Sequence, residues 1–395
     1  MQQLALDMYM TAGVGVIALV LGLLLTRSVH FLKRFCIPAP VSGGLLVSLA
    51  FLSCHLLLDI DFSFDGTIKD LCMMLFFTSV GFQCDFRVLR QGGRPLVIMI
   101  LLVLGLIVLQ NLLSIGIDRG MHLSPLVGMA TGSIPMSGGH GTAGGFFPVL
   151  DSMGLHGADS ITLAAATFGL VAGSLIGGPL GERLVRRHHL ATESTGESIE
   201  TPDSKQASSS KNYTGASCQL IIAMALGMGL SKLLSLTGIT FPTYFGALIV
   251  AVTVRNLFPE KEGRKDFVCK EEIAAIGNIC LLLFLGMAMA TLKLWELAGL
   301  MLPLVIILLA QSVLIILFAS FVAFPSLGRD YDAAVLVSGL CGFGLGATPN
   351  AMANMTAVCY KYHFAVKPFI IIPIIGAVFV DIINTSVITI FLNLI

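Results

Sequence analysis

Residues 124–150 read SPLVGMATGSIPMSGGHGTAGGFFPVL, and residues 333–357 read AAVLVSGLCGFGLGATPNAMANMTA. Both stretches are apolar enough to enter a bilayer. Neither can cross it as one helix, because glycines crowd the middle of each and every glycine costs a helix interior about 1 kcal/mol. Non-helical backbone survives at membrane depth only where protein covers it or water lines it. The two stretches are therefore expected to be re-entrant loops. Each would consist of short helices that end at mid-membrane and offer bare N–H or C=O groups to a ligand.

Working outward, apolar runs of about 20 residues, enough to span a bilayer, fall near 9–29, 38–58, 68–84, 95–117 and 160–184. Five more follow near 215–236, 241–258, 272–291, 298–324 and 368–392. Between the two sets, residues 185–214 are rich in Ser, Thr, Glu and Lys and too poor in apolar residues to fold, so they read as a linker. The expected fold is an all-α polytopic membrane protein. Its two halves, 1–184 and 215–395, each hold five spans, with the loops 124–150 and 333–357 lying before the last span of their half. If both termini lie outside, 19 of the 23 Lys and Arg residues fall on the cytoplasmic side, leaving only Lys69, Arg119, Lys232 and Lys293 outside. An odd number of spans per half turns the second half over, so similarity between the halves implies an inverted repeat. Pro40 and Gly44 answer Pro242 and Gly246, while Gly81, Gly139 and Gly141 answer Gly286, Gly344 and Gly346 at an offset of 205.

Composition agrees: 56% of the 395 residues are hydrophobic and 12% charged, with 23 basic residues cancelling 23 acidic ones. That balance gives no basic field for nucleic acid, which is set aside as a partner. The nine cysteines are scattered, form no CxxC pair, and read as small core hydrophobes rather than disulfide or zinc ligands. No cleavable signal peptide is expected, since the first apolar run is too long and its basic residues follow it. Gly22, inside that run, is expected to meet only ordinary helical demands.

SGGHGT (137–142), CGFGLGATPNAMANM (341–355) and GAVFVDIIN (376–384) resemble the bacterial glutamate:sodium symporter family. So do IPAPVSGGLL (37–46), ATFGLVAGSLIGGP (166–179) and LKLWELA (292–298), which makes the likeness nearly chain-long apart from the linker. The resemblance implies Na⁺-driven uptake of glutamate by alternating access across the bacterial inner membrane, with Na⁺ as the co-transported ion. It also implies a glycine-rich GGxGxG signature in each of two opposed loops, and a homodimer is plausible for a carrier of this kind. Here the copies read GGHGTA and CGFGLG, with Ala143 and Cys341 as small substitutes for glycine.

Glutamate brings two carboxylates and one ammonium. Asp381 is the acid most clearly inside a span, so it is a candidate partner for the ammonium or for Na⁺, with Asn384 and Thr385 on its helical face. A polar contact between helices is the structural alternative. No arginine lies in the interior of a span, so carboxylates must meet backbone N–H groups and hydroxyls. Ser137, Gly138, Gly139, Gly141 and Thr142 are candidates, joined by Gly344 and Gly346. Na⁺ prefers hard oxygens, which points to loop carbonyls with Thr348, Asn350, Asn354 and Asn278. The competing reading makes the glycines packing devices and has the polar groups bond backbone. His140 is a secondary candidate that could equally satisfy a loop group. Gly169, Gly173 and Gly177 read as a structural small-residue ridge, while Gln110 and Gln311 could bridge helices across a domain or subunit interface, with packing as their default. An Na⁺ symporter of another small carboxylate is the alternative function. A channel lacks a continuous polar lining, and an intramembrane enzyme lacks a metal or nucleophile cluster.

Overall fold

Hydrophobic runs become helices, and polar side chains set where they start. The computed structural model describes residues 2–34, 37–86, 93–190, 212–236, 242–258, 267–295 and 300–395. Its helices are α1 (Met8–Ser28), α2 (His30–Arg34), α3 (Ala39–Leu58), α4 (Thr67–Gln83) and α5 (Gly93–Gly120). Three short segments follow, α6 (Pro125–Thr131), α7 (Ser133–Met136) and α8 (Gly139–Ser152), then α9 (Ala158–Arg187). The remainder comprises α10 (Tyr213–Ser235), α11 (Phe245–Leu257), α12 (Lys270–Ala290), α13 (Met301–Ser326), α14 (Tyr331–Gly344) and α15 (Thr348–Lys361). The last expected span is α16 (Val366–Ile374) joined through a π-helical stretch, Ile375–Phe379, to α17 (Val380–Leu394). Asp7 caps α1 by accepting from the N–H groups of Tyr9 and Met10, and Asp330 caps α14 by accepting from Ala333.

Among the described residues, seven helices are long and apolar enough to cross a membrane: α1, α3, α5, α9, α10, α12 and α13. The chain is thus an all-α polytopic membrane protein in outline. Two expected spans are shorter helices, α4 with 17 residues and α11 with 13. The head of α11 is sunk in the bundle, where a Cβ on Gly246 would lie 2.2 Å from the Gly227 carbonyl oxygen of α10. Most of the expected linker lies outside the described residues, and α9 takes in its first three residues, 185–187. One small sheet was not expected: Gln2–Leu6 (β1) pairs in parallel with Ile60–Phe64 (β2). Alternation explains it, since Phe62 and Phe64 turn toward Phe51 with ring centroids 4.7 and 5.2 Å away.

The helices pack as two groups. One comprises α1, α3 and α4 with α10, α11 and α12; the other comprises α5 to α9 with α13 to α17. Each group therefore mixes the two sequence halves. Glycines set the close approaches. A Cβ on Gly22 would lie 1.7 Å from the Ala39 carbonyl oxygen and one on Gly43 1.8 Å from that of Ala18, so α1 and α3 touch backbone to backbone. Gly22 is thus no ordinary helical position. The ridge on α9 is structural as expected: Cβ atoms at Gly169 and Gly177 would strike the carbonyls of Leu345 at 2.0 Å and Ser338 at 2.7 Å. Cys72, Cys84, Cys280, Cys341 and Cys359 are buried, Cys218 is exposed, and Cys36 lies outside the described residues.

Candidate functional site

Both glycine-rich stretches fold as helical hairpins. In the first, α6 doubles back along α5, with Gly128 against Ile115 and Gly132 against Asn111. The chain breaks at Ser137 and Gly138, and α8 returns antiparallel to α9, where His140 meets Thr167. In the second, α14 and α15 pack antiparallel, Gly342 facing Ala351 and Gly339 facing Met355. Their base lies at the C-terminal end of α9, where Lys361 pairs with Glu182 and Phe324 packs on His188. The first hairpin has its base at the N-terminal end of the same helix. The two hairpins therefore point at each other, and their tips touch: a Cβ on Gly139 would lie 2.8 Å from the Gly346 carbonyl oxygen. Gly139 has φ +59°, a left-handed conformation that glycine adopts at little cost.

This arrangement concentrates helix ends. α8 begins at Gly139 and α15 at Thr348, so two N-termini with unfilled N–H groups converge on the meeting point. The C-terminal ends of α7 and α14 contribute carbonyls nearby. Between the tips and the helices α4 and α12 of the other group lies a cavity of about 350 Å³. That volume is at the lower end for small-ligand sites, about 300–1,000 Å³. Its lining includes Ser137, Gly138, Gly139, His140, Gly141, Gly346, Thr348, Asn350, Asn278 and Asp381. Asp381 is the one carboxylate among the described lining residues. Thr142, Gly344, Asn354 and Asn384 are not part of the lining. A second cavity of about 330 Å³ lies at the edge of the molecule, bordered by β2, Lys69 and Lys293 and away from the hairpin tips.

Several candidates are tied to the protein itself. The Ser137 hydroxyl donates to Gln110 Oε1 at 2.7 Å, and Gln110 Nε2 donates to the Gly344 carbonyl at 2.7 Å. Gln110 thus clamps one hairpin tip to the other, and Gln311 Nε2 donates in turn to the Gln110 carbonyl at 2.9 Å. Asn350, Asn354 and Asn384 donate through Nδ2 to the carbonyls of Leu170, Gly173 and Ser133 at 2.7, 2.9 and 2.9 Å. Their oxygens face elsewhere, and those of Asn350 and Asn384 are buried without a hydrogen bond among the described residues. His140 Nε2 lies 3.0 Å from Thr167 Oγ1, whose proton goes to the Leu163 carbonyl.

The bridging role raised for Gln110 is present, although the sequence did not show that it joins the two hairpin tips, and the apolar wall of Pro38, Phe76, Phe343, Leu281, Leu282 and Leu285 was missed. A lone glutamine in an apolar helix was the available signal for the clamp. Nothing in the sequence separates the wall residues from lipid-facing ones.

A family model described as sodium/glutamate symporter matches residues 4–364. The chain is 38% identical to the sodium/glutamate symporter of Escherichia coli (strain K12) over 98% of both chains. It is 35% identical to that of Haemophilus influenzae over 96% of this chain and 95% of the relative.

Proposed function

On the premise that this chain belongs to the sodium/glutamate symporter family, we propose that it carries glutamate into the cell across the bacterial inner membrane together with Na⁺, by alternating access. The observation that carries the reading is the tip-to-tip meeting of two hairpins whose N-termini open on a cavity with one acid, Asp381, among its described lining residues. Glutamate is a chemical match. One carboxylate is received by the N–H groups of Gly139, His140 and Gly141, the other by the N–H and hydroxyl of Thr348. Each helix terminus contributes about 0.3–1 kcal/mol, rising to about 2 kcal/mol where water is excluded. The ammonium pairs with Asp381, which rationalises a half-buried acid that a substrate without an amino group would leave uncompensated. That disfavours a dicarboxylate or hydroxy acid as substrate. Thr348, Asn278 and the free Asn350 oxygen, with carbonyls at the end of α14, are the hard oxygens offered to Na⁺ at the cavity. Gly344, Asn354 and Asn384 support the tips from behind.

In this reading the halves 1–184 and 215–395 are inverted repeats joined by the linker 185–214, both termini are periplasmic, and the hairpins 124–150 and 333–357 are re-entrant from opposite sides. Three features support it: the opposed hairpins, the one-sided distribution of positive charge, and the parallel use of glycine contacts between α1 and α3 and between α10 and α11. A homodimer fits a carrier with so much exposed apolar surface. The test is uptake of labelled glutamate into liposomes holding the purified chain. Accumulation driven by an inward Na⁺ gradient is expected, and accumulation that follows a proton gradient regardless of Na⁺ overturns the assignment.

A further inference from the structure

Asp381 has a second side. One side borders the cavity, while behind it the carboxylate meets the side chain of Thr142 on α8. Tyr244, at the head of α11, lies against Thr385 and within electrostatic reach of Asp381. Thr142 is 1% exposed and Tyr244 and Thr385 are 0% exposed. Among the described residues, none of their three hydroxyl oxygens completes a hydrogen bond in good geometry. The gathering is not loose: the Tyr244 ring stacks on Phe77 with centroids 3.6 Å apart and planes 9° from parallel, and Thr385 stands one turn from Asp381 on the same face of α17. Beyond the looser pairings of Thr142 with Asp381 and of Tyr244 with Thr385, these hydroxyls have oxygen lone pairs to offer, and a buried polar group left short of partners is costly. Water would satisfy the hydroxyls but leave the carboxylate's charge uncompensated. No Lys or Arg lies in the interior of α4, α8, α11 or α17 to compensate it. One negative charge among neutral hard oxygens suits a monovalent cation.

We propose that Asp381, Thr142, Thr385 and Tyr244 form a sodium site behind the substrate cavity, distinct from the oxygens that border it. This rests on the Na⁺-coupled reading above. Asp381 is shared: one oxygen turns to Na⁺ and the other to the substrate ammonium, so the ion orients the carboxylate that the substrate needs. The π-helical stretch Ile375–Phe379 ends just before Asp381, and stretches of this kind recur at functional sites because they take carbonyls out of α register. The site also straddles the seam, with Tyr244 on the α11 side and the other three on the hairpin side, so a bound ion links the two helix groups.

The experiment measures the Na⁺ dependence of glutamate uptake in liposomes for the wild type, Thr385→Val, Tyr244→Phe and the conservative Thr385→Ser. The expected result is at least a tenfold rise in half-saturating Na⁺ for Thr385→Val and Tyr244→Phe and less than threefold for Thr385→Ser. The glutamate KM at saturating Na⁺ should change less than threefold. Unchanged Na⁺ dependence in both variants overturns the site while leaving the transport assignment intact. Absence of Na⁺-driven uptake in the wild type overturns the assignment instead. A second readout is the Na⁺-induced rise in melting temperature of the purified protein without glutamate, with choline as control. Loss of that rise in the variants supports the site even where uptake is abolished, and its retention refutes it. Tyr244→Phe keeps the ring stack, so it carries the test should Thr385→Val fail to fold.

Discussion

Replacing Gly139 by Ala tests the hairpin tips with one methyl group. Gly139 has φ +59°, a region that costs an L side chain roughly 1–2 kcal/mol. The added Cβ would also sit 2.8 Å from the Gly346 carbonyl oxygen, an approach between two backbones that no flexible side chain can relieve. The tips must part by several tenths of an ångström, which brings the total to about 2–3 kcal/mol. Because Gly139 and Gly346 both border the cavity, that cost falls on the binding-competent arrangement. At 1.4 kcal/mol per tenfold, it corresponds to a rise of about 30- to 140-fold in half-saturating glutamate. The assay is uptake kinetics in liposomes alongside Gly13→Ala in α1, where an added Cβ meets nothing within 4 Å. Gly139→Asn separates the two causes, since Asn tolerates the left-handed region but retains the clash. Wild-type kinetics in Gly139→Ala would refute the tip-to-tip arrangement.

Asp381→Asn should abolish Na⁺-driven uptake while leaving folded protein in the membrane, because a near-isosteric amide cannot balance a buried cation; uptake assays with expression controls decide it. Gln110→Leu removes the clamp between Ser137 and the Gly344 carbonyl, and should destabilise the purified protein by about 2 kcal/mol, read as a lower unfolding midpoint. Gly22→Val should prevent folding while Gly13→Val is tolerated, since only Gly22 is pressed on the backbone of α3; the yield of monodisperse protein in detergent distinguishes them.

The helices were legible because a span must be long and apolar, and the breaks in the hairpins because glycine declares itself in such a run. Packing partners were not legible. Gly13 and Gly22 look alike in sequence, yet one faces open space and the other a carbonyl. The β1–β2 pair was hidden because Gln2–Leu6 runs into the first apolar span and its partner lies 58 residues on. At the site, the sequence marked the tips and Asp381 through residue types that are expensive in a membrane. Asn354 and Thr142 were marked by the same logic, although neither borders the cavity. Tyr244 drew no notice, since an aromatic at the head of an apolar helix is ordinary and only the fold turns its hydroxyl toward Thr385. Phe76 and the leucines of α12 escaped because a wall facing a cavity and a wall facing lipid have the same composition.

The proposed transport requires that two hairpins from opposite sides meet at a watery site which glutamate and Na⁺ occupy together. Single cysteines at Ser137 and Thr348, in a chain freed of its native cysteines including the buried Cys341, test it with membrane-impermeant thiol reagents applied from each side. Both positions should react from either side in turn, and glutamate with Na⁺ should protect both, whereas glutamate alone should protect neither. Failure of both positions to react from any side, or full protection by glutamate without Na⁺, would contradict the account.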